Sequence, residues 1–489
     1  LRLSQLLAAH ADALTGVDAR DLEVSGLTAD SRAVAPGTLF AALPGSRTDG
    51  RGFIADAIAR GAVAVLAPRG TLRPDDVAPA VLIEDDRPRL AFARMAAAFH
   101  AGQPATVVAV TGTNGKTSVV QFTRQIWQRL GRRAACLGTL GIDGPGVTRY
   151  GAMTTPDPVS LHATLAGLTQ AGIECLAMEA SSHGIDQYRL DGVRLAAAGF
   201  TNLTRDHLDY HGTMEAYRAA KAALFERILP ANGTAVLNAD VPEFSHLSAI
   251  CSSRGLRVIG YGAAGRDLAV HSVEALAHGQ RLDLGVLGRR LTVDLPLVGR
   301  FQAWNALCAL GLVIASGTDA GEAAATLAFL EGVSGRLQHV ATHPAGPPVF
   351  VDYAHTPDAL ETVLTALRPH AAGRLVVVFG CGGDRDRGKR PVMGGLASRL
   401  ADEVIVTDDN PRSEEPAAIR REVLAGAAPG TRESGDRRAA IREAVAGLAT
   451  GDVLVIAGKG HEQGQIIGTE VRPFDDATEA RLAIAEIGA

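Results

Sequence analysis

The sequence predicts an α/β protein of several domains, and three observations lead there. Short apolar runs alternate with helix-length segments along most of the chain. One junction, residues 107–120 (VVAVTGTNGKTSVV), reads as strand, glycine loop and helix in order. Several apolar runs also end in polar, Gly or Pro residues, as strands do when their carboxyl ends form a ligand site. At 489 residues the chain is long enough for about three domains.

The first block, 1–102, holds strand-like runs at 39–43, 62–68 and 80–85, with helical segments at 52–61 and 89–100. Gln103-Pro104 then punctuates the chain. A second block, 103–335, repeats strand and helix: ATVVAVTG, AACLGTLG, ECLAMEAS, AAAGFTNLT and GTAVLNAD are apolar runs spaced by helix-length segments. That alternation implies a parallel sheet covered on both faces. The third block, 336–489, has its own runs, PVFVDYAHTP, RLVVVFGCGG, DEVIVTDDNP and DVLVIAGKGHE.

Composition narrows the function. Net charge is −5 and aromatic residues are 4% of the chain, so neither a basic field nor stacking platforms favour nucleic acid. No apolar run reaches membrane-span length. The five cysteines are widely spaced, without a CxxC pair, which fits a reducing compartment. The expectation is a cytoplasmic protein acting on small molecules, with no nucleic-acid partner and no membrane insertion.

The glycine loop carries the sharpest chemistry. Gly112, Thr113, Asn114, Gly115, Lys116, Thr117 and Ser118 lack the first Gly of a G-x-x-x-x-G-K-[ST] loop, where Val110 stands, but keep its working parts. Lys116 can reach β and γ phosphates, Thr117 can ligate Mg²⁺, and loop N–H groups can cradle oxygens. Glu179, Ser181 and His207 fall at later strand ends, where an acid and an imidazole can serve a cation. Each of them taken singly also suits a cap or a hydrogen-bonded core position. Lys221 falls on the apolar helix face marked by Met214, Tyr217, Leu224, Phe225 and Ile228. It either snorkels along its stem or carries a depressed pKa and a reactive neutral amine. Asn305, Arg336, Asp352 and His355 could be structural; Asp352 could accept a ribose hydroxyl and Arg336 could steady a phosphate. Arg385 and Arg412 suit bidentate recognition of a carboxylate. GKGHE, 458–462, has no Ser or Thr after its Lys and is not read as a second phosphate loop.

Taken in order, TADSR, TGTNGKTS, TTPD, MEASSHG, TNLTRDHLDYHGTMEAYRAAK, GRFQAWNAL, VDYAHTPDAL, GCGGDRDRGKRP, DDNPR and GKGHE resemble the Mur ligase family over nearly the whole chain. The resemblance implies three domains: a smaller N-terminal α/β domain for a uridine nucleotide (1–102), a central P-loop-type parallel-sheet ATPase domain (103–335), and a C-terminal Rossmann-like domain for an incoming amino acid (336–489). It implies ATP-dependent joining of meso-2,6-diaminopimelate to UDP-N-acetylmuramoyl-L-alanyl-D-glutamate through an acyl phosphate; a monomer is expected.

By motif, Ser31, Ser46, Arg47, Thr48, Thr154, Thr155, Ser181, Gln187 and Arg189 are then expected to contact the UDP-muramoyl dipeptide. Residues 112–118, Asn305, Arg336 and Asp352 are expected to contact ATP. Thr117, Glu179, His207 and Lys221, the last as a CO₂-derived carbamate, would hold Mg²⁺. Arg385, Asp409, Asn410, Pro411, Arg412, Gly458 and Glu462 would hold diaminopimelate, and Lys116, Lys221, Glu179 and His207 would serve catalysis. Two positions depart from the family pattern: Met153 precedes Thr154 where relatives often have Asn, and Gln338 follows GRL where many have Glu. A folylpolyglutamate-type ligase and a nucleotide-gated binding protein are the rival readings.

Overall fold

The computed structural model describes residues 1–8, 21–45, 48–72, 80–149, 153–276 and 279–487. Ser46 and Arg47 lie outside the described residues. By its internal contacts the chain divides into two units, Leu1–Leu268 with Leu307–Ala323, and Ala269–Ala306 with Ala324–Ala489.

The first unit begins with four parallel strands, β1 (Gly26–Thr28), β2 (Thr38–Ala41), β3 (Ala62–Pro68) and β4 (Val81–Asp85), in that spatial order. Side chains alternate between faces along each strand. Leu39, Leu66 and Ile83 therefore pack with Phe92 and Met95 of the helix Pro88–Phe99. Phe40 and Val65 pack on the other face with Ile54 and Ala57 of the helix Ile54–Ala59.

The same unit contains β5 (Thr106–Thr111), β6 (Ala134–Gly138), β7 (Gly141–Asp143), β8 (Cys175–Glu179), β9 (Ala197–Phe200), β10 (Thr234–Asn238) and β11 (Arg257–Gly262). Their order is β11-β10-β9-β5-β8-β6-β7. Every pairing is parallel except β6 with β7. Strands covered on both faces are apolar at every position rather than at alternate ones, and β6, β8, β9 and β10 are buried throughout. At Gly199 in β9 a Cβ would meet the Cys308 sulfur at 3.1 Å, so the missing side chain lets a helix lie close to the sheet. The centre of this order positions the site. β5 pairs Val110 with Glu179 of β8 and Thr111 with Phe200 of β9, which brings the loops leaving all three strands to one edge.

In the second unit β12 (Leu268–Leu276), β13 (Gly279–Val286) and β14 (Arg289–Leu295) form a meander. Leu287 and Gly288, both at positive φ, make the two-residue turn between β13 and β14. A six-stranded sheet follows, built from β15 (Gln338–Thr342), β16 (Pro348–Asp352), β17 (Leu375–Phe379), β18 (Glu403–Val406), β19 (Arg432–Glu433) and β20 (Val453–Ala457). Its order is β15-β16-β20-β17-β18-β19, with β15 alone antiparallel to its neighbour. Leu375, Val377 and Phe379 serve one core face, Val376 and Val378 the other. A hairpin of β21 (Gly464–Ile467) and β22 (Glu470–Pro473) follows β20.

The helix read from TMEAYRAAKAALFERIL is α-helical over Met214–Ala223 and then widens into a π turn over Leu224–Ile228. One extra residue enters the turn after Lys221, a distortion frequent at functional sites. Among the described residues no helix is long and apolar enough to cross a membrane.

Candidate active site

In the first unit the chain leaves β5 and turns through Gly112, at φ +148°, into the helix Lys116–Arg129, with Gly115 left-handed at its N-cap. Any side chain at residue 112 would overlap the Thr201 hydroxyl. That hydroxyl donates to Asn114 O at 2.6 Å, and the Asn202 side-chain oxygen accepts from Asn114 N–H at 2.9 Å. The loop leaving β9 therefore braces the loop leaving β5.

Two lysines converge on a single carbonyl. Lys116 Nζ donates to Gly112 O at 2.9 Å and to Thr113 O at 2.8 Å, while Lys221 Nζ donates to Gly112 O at 2.7 Å. Lys221 is 1% exposed and its ammonium lies 4.3 Å from the Tyr217 ring centroid. Burial, reinforced by the Lys116 charge, pulls its pKa well below the ordinary lysine range. The snorkelling alternative therefore fails: this amine stays inside, next to the loop. Tyr217 is fixed in turn by a 3.2 Å bond between its hydroxyl and that of Thr113.

The other strand ends supply acid, imidazole and hydroxyl groups. Glu179, 1% exposed at the end of β8, accepts from Thr139 N–H at 2.9 Å and from the Thr139 hydroxyl at 3.2 Å. Both donors are neutral, so these bonds leave its charge for a cation. Thr139 also bonds the Thr154 hydroxyl at 3.0 Å. Thr155 Oγ1 donates to Glu179 O and accepts from Ser181 N–H, both at 3.0 Å. Arg189 donates to Thr155 O at 2.7 Å and to the Gln187 oxygen at 2.7 Å, and its guanidinium lies 3.6 Å from the Met153 sulfur. Thr154, Thr155, Ser181, Gln187 and Arg189 thus form one connected group.

His207 has an exposed ring, 3.4 Å from the Asp206 carboxylate, and stands edge-on to His183 at 5.0 Å. Burial, then the neighbouring His207 and His211, push His183 down to about 4. Among the described residues no group of three or more His, Cys, Asp or Glu could by itself hold a metal. The donor set around Glu179 and the buried Thr117 nevertheless suits Mg²⁺, which commonly takes one or two carboxylates and completes its shell with phosphate and water. Ser31 opens a 3₁₀ turn capped by Asp30, and exposed Thr48 accepts from Gly45 N–H at 3.1 Å. Both lie on the loops flanking β2, apart from the phosphate loop in sequence.

In the second unit Asn305 donates to Gln302 Oε1 at 3.0 Å, and Gln302 donates to Arg336 O at 3.3 Å. The Arg336 guanidinium lies 4.7 Å over the Tyr353 ring. Asp352, at the end of β16, accepts from Leu337 N–H at 2.5 Å and Ala354 N–H at 2.7 Å. Burial pushes its carboxyl up to about 6, against the lowering effect of Arg336 and these two N–H groups. Gln338, at the departure position, accepts from Gly335 N–H at 2.9 Å and so orders the turn that carries Arg336.

The amino-acid candidates gather at the ends of β17, β18 and β20. A Cβ on Gly382 would meet Arg412 Nη1 at 2.8 Å and Arg385 Cγ at 3.7 Å, so the two arginines flank this glycine. Arg412 donates to Gly383 O at 2.8 Å, and its own backbone pairs with β21: its N–H donates to Ile466 O at 3.0 Å and its carbonyl accepts from Gly468 N–H at 2.7 Å. Asn410 donates to Glu462 Oε2 at 2.8 Å. Asp409 is buried with no donor to its Oδ2 among the described residues, and it abuts Gly458, which is at φ +114°. Pro411 is buried within the same loop.

Among the described residues six non-glycine positions have positive φ: Tyr188, His207, Leu287, Leu337, Asp384 and Arg412. Apart from the hairpin residue Leu287, each is a candidate site residue or its immediate neighbour. Strained backbone of this kind persists where surrounding structure over-determines it, and it clusters at functional sites. Sequence reading missed Thr139, Thr201, Asn202, Tyr217 and Lys459. A lysine between two glycines directly after the apolar run of β20 was the available signal for Lys459.

The chain matches three family descriptions: "Mur ligase family, catalytic domain" over residues 23–100, "Mur ligase middle domain" over 110–313, and "Mur ligase, glutamate ligase domain" over 335–460. It is 53% identical over 471 residues to a UDP-N-acetylmuramoyl-L-alanyl-D-glutamate--2,6-diaminopimelate ligase from Mesorhizobium japonicum, covering 96% of this chain and 97% of that protein. A protein of the same name from Caulobacter vibrioides is 54% identical over 478 residues, with 96% and 97% covered. A solved structure of a ligase of that name superposes with a TM-score of 0.73 at 33% identity over 99% of both chains.

Proposed function

The chain belongs to the Mur ligase family, and on that premise we propose that it joins meso-2,6-diaminopimelate to UDP-N-acetylmuramoyl-L-alanyl-D-glutamate, converting ATP to ADP and phosphate. The observation that carries the reading is the pair of lysines, Lys116 and Lys221, converging on Gly112 O at a strand–loop–helix junction beside the buried Glu179. The names of the relatives, at about half identity over nearly the full length, support the choice of substrates.

On this reading ATP lays its phosphates along the loop 112–118, where helix N–H groups and Lys116 offset their charge. Thr117, Glu179, His207 and a carbamate on Lys221 would hold Mg²⁺, which supplies Lewis-acid stabilisation of the transferring phosphoryl group. The low pKa of Lys221 supports the carbamate, since a neutral amine can form the N–C bond to CO₂ with release of a proton. The γ-phosphoryl group passes to the terminal carboxylate of the dipeptide, turning a poor acyl donor into an acyl phosphate. The amine of diaminopimelate attacks the acyl carbon, and the tetrahedral intermediate expels phosphate and leaves the amide. Arg385 and Arg412 position the nucleophile through its far carboxylate, with Asp409, Asn410, Pro411, Gly458 and Glu462 around it. Asn305, Arg336 and Asp352 would serve the adenosine end, and Ser31, Thr48, Thr154, Thr155, Ser181, Gln187 and Arg189 the UDP-dipeptide. The three domains, 1–102, 103–335 and 336–489, would take the uridine nucleotide, ATP and the amino acid respectively, in a cytoplasmic monomer.

The test is amino-acid-dependent phosphate release with ATP, Mg²⁺ and the UDP-dipeptide. Release should require diaminopimelate and yield the UDP-tripeptide by mass. Release with L-glutamate and a folate acceptor would establish the folylpolyglutamate-type alternative. Nucleotide binding without turnover would establish a binding protein.

A further inference from the structure

Lys459 follows Gly458 at the end of β20, and its side chain is fully buried. An ammonium taken out of water is costly unless it is paired and hydrogen-bonded. Its partners belong to two separate segments: Nζ donates to Asn410 Oδ1 at 3.0 Å, in the loop after β18, and to Glu462 Oε2 at 3.1 Å. Asn410 Nδ2 closes the triangle on the same Glu462 oxygen at 2.8 Å, and Ile466 N–H of β21 donates to Asn410 Oδ1 at 2.9 Å.

This pattern fixes an orientation. The Asn410 oxygen receives two donors and its nitrogen faces a carboxylate, so turning the amide over would set donors against donors and oxygen against oxygen. The Glu462 carboxylate is tethered through Oε2, while 32% of its side chain stays exposed to a ligand.

We propose that Lys459 is a positioning residue: its buried ammonium locks Asn410 and Glu462 in the orientation that receives the far amino-acid centre of the incoming diamino acid. The inference rests on the function proposed above. That far centre carries an ammonium and a carboxylate. A tethered Glu462 meets the first, and Arg385 and Arg412, flanking Gly382, meet the second. Without Lys459 the Asn410 oxygen keeps only the Ile466 N–H donor and Glu462 loses its cation, so the orientation is held less firmly and the weakened step is capture of the amino acid rather than phosphoryl transfer.

The experiment measures KM for diaminopimelate, ATP and the UDP-dipeptide, and kcat, in wild type, Lys459→Met, Lys459→Gln, Asn410→Ala and the double variant Lys459→Met/Asn410→Ala. Lys459→Met should raise KM for diaminopimelate roughly tenfold, as loss of charge-assisted bonds implies, with kcat within threefold and the other two KM values within twofold. Lys459→Gln, which keeps a donor for Asn410, should recover part of the loss. The double variant should add little to Asn410→Ala alone. If Lys459→Met does not fold, the glutamine variant decides, with an expected rise of a few-fold confined to diaminopimelate. Unchanged KM for diaminopimelate, an equal rise in all three, or additive penalties in the double variant overturn the proposal while the proposed function stands. A wild type that makes no diaminopimelate-dependent product overturns both.

Discussion

Replacing Gly112 with alanine tests whether the phosphate loop is shaped by its bracing contacts. At φ +148° a Cβ would overlap the Thr201 hydroxyl and lie 3.1 Å from Asn202 N. A side chain in that backbone region costs about 1–3 kcal/mol. Displacing the Thr201 hydroxyl forfeits its 2.6 Å bond to Asn114 O, worth about 1 kcal/mol. Gly112→Ala should thus destabilise by roughly 2–4 kcal/mol, a large share of the roughly 5–15 kcal/mol that holds a domain folded. Thr201→Ala should cost about 1 kcal/mol by itself. The double variant should cost about 1 kcal/mol less than the two singles together, because both lose the same bond and the overlap is relieved. Urea midpoints followed by circular dichroism measure all three. A Gly112→Ala protein within about 0.5 kcal/mol of wild type, or strict additivity in the double variant, would refute the bracing argument. Phosphate release should fall with the single variant, since Gly112 O is the acceptor shared by Lys116 and Lys221.

Lys221→Ala should lose on the order of 100- to 1000-fold in kcat, the scale of removing one charge-stabilising group, and regain part of it with added acetate; full activity without acetate would exclude the carbamate. Arg412→Ala should shrink the preference for diaminopimelate over L-lysine in kcat/KM, because a wild-type guanidinium left with the Gly383 carbonyl and no carboxylate penalises lysine by up to about 2–5 kcal/mol; an undiminished preference would show that selection lies elsewhere. Glu414 is held down to about 2 by its hydrogen bonds to the buried Arg390, then by Asp384 N–H. Its folded pKa lies below its unfolded value near 4.5, so its contribution is present above pH 4.5 and is lost as pH falls towards 2. Urea midpoints at pH 6, 4 and 3 should drop in wild type and drop less in Glu414→Gln; parallel curves would show that another group dominates acid unfolding.

What could be read from the sequence followed from local physics. The strand–loop–helix at 107–120 was legible because apolar continuity, glycine and helical spacing are adjacent properties of one segment, and the structure places β5, Gly112 and the helix from Lys116 there. Lys221 was legible because one cation on an apolar stripe breaks a period of 3.6. The β12–β14 meander was missed because its strands carry exposed polar positions and lack the buried runs of the parallel sheet. The bonds that hold Asn410 were missed for a different reason, although Asn410 and Glu462 were each expected at the site. Lys459, Glu462 and Ile466 lie 49 to 56 residues further on, and no local pattern announces a hydrogen bond between two strand-end loops. The π turn after Lys221 was likewise invisible, since a helical stripe tolerates one inserted residue without losing its apolar face.

The positive-φ residues bear on how this chain would respond to selection in the laboratory. His207, Asp384 and Arg412 occupy backbone geometry that glycine adopts without penalty. His207→Gly, Asp384→Gly and Arg412→Gly should each relieve on the order of 1 kcal/mol of local strain, offset in part by the freer unfolded chain. A directed-evolution campaign scored on heat resistance alone would therefore be drawn towards glycine at His207 and Arg412, where the proposed reaction needs an imidazole and a guanidinium, as well as at Asp384 beside Arg385. Libraries built on this scaffold should hold those codons constant and seek robustness elsewhere.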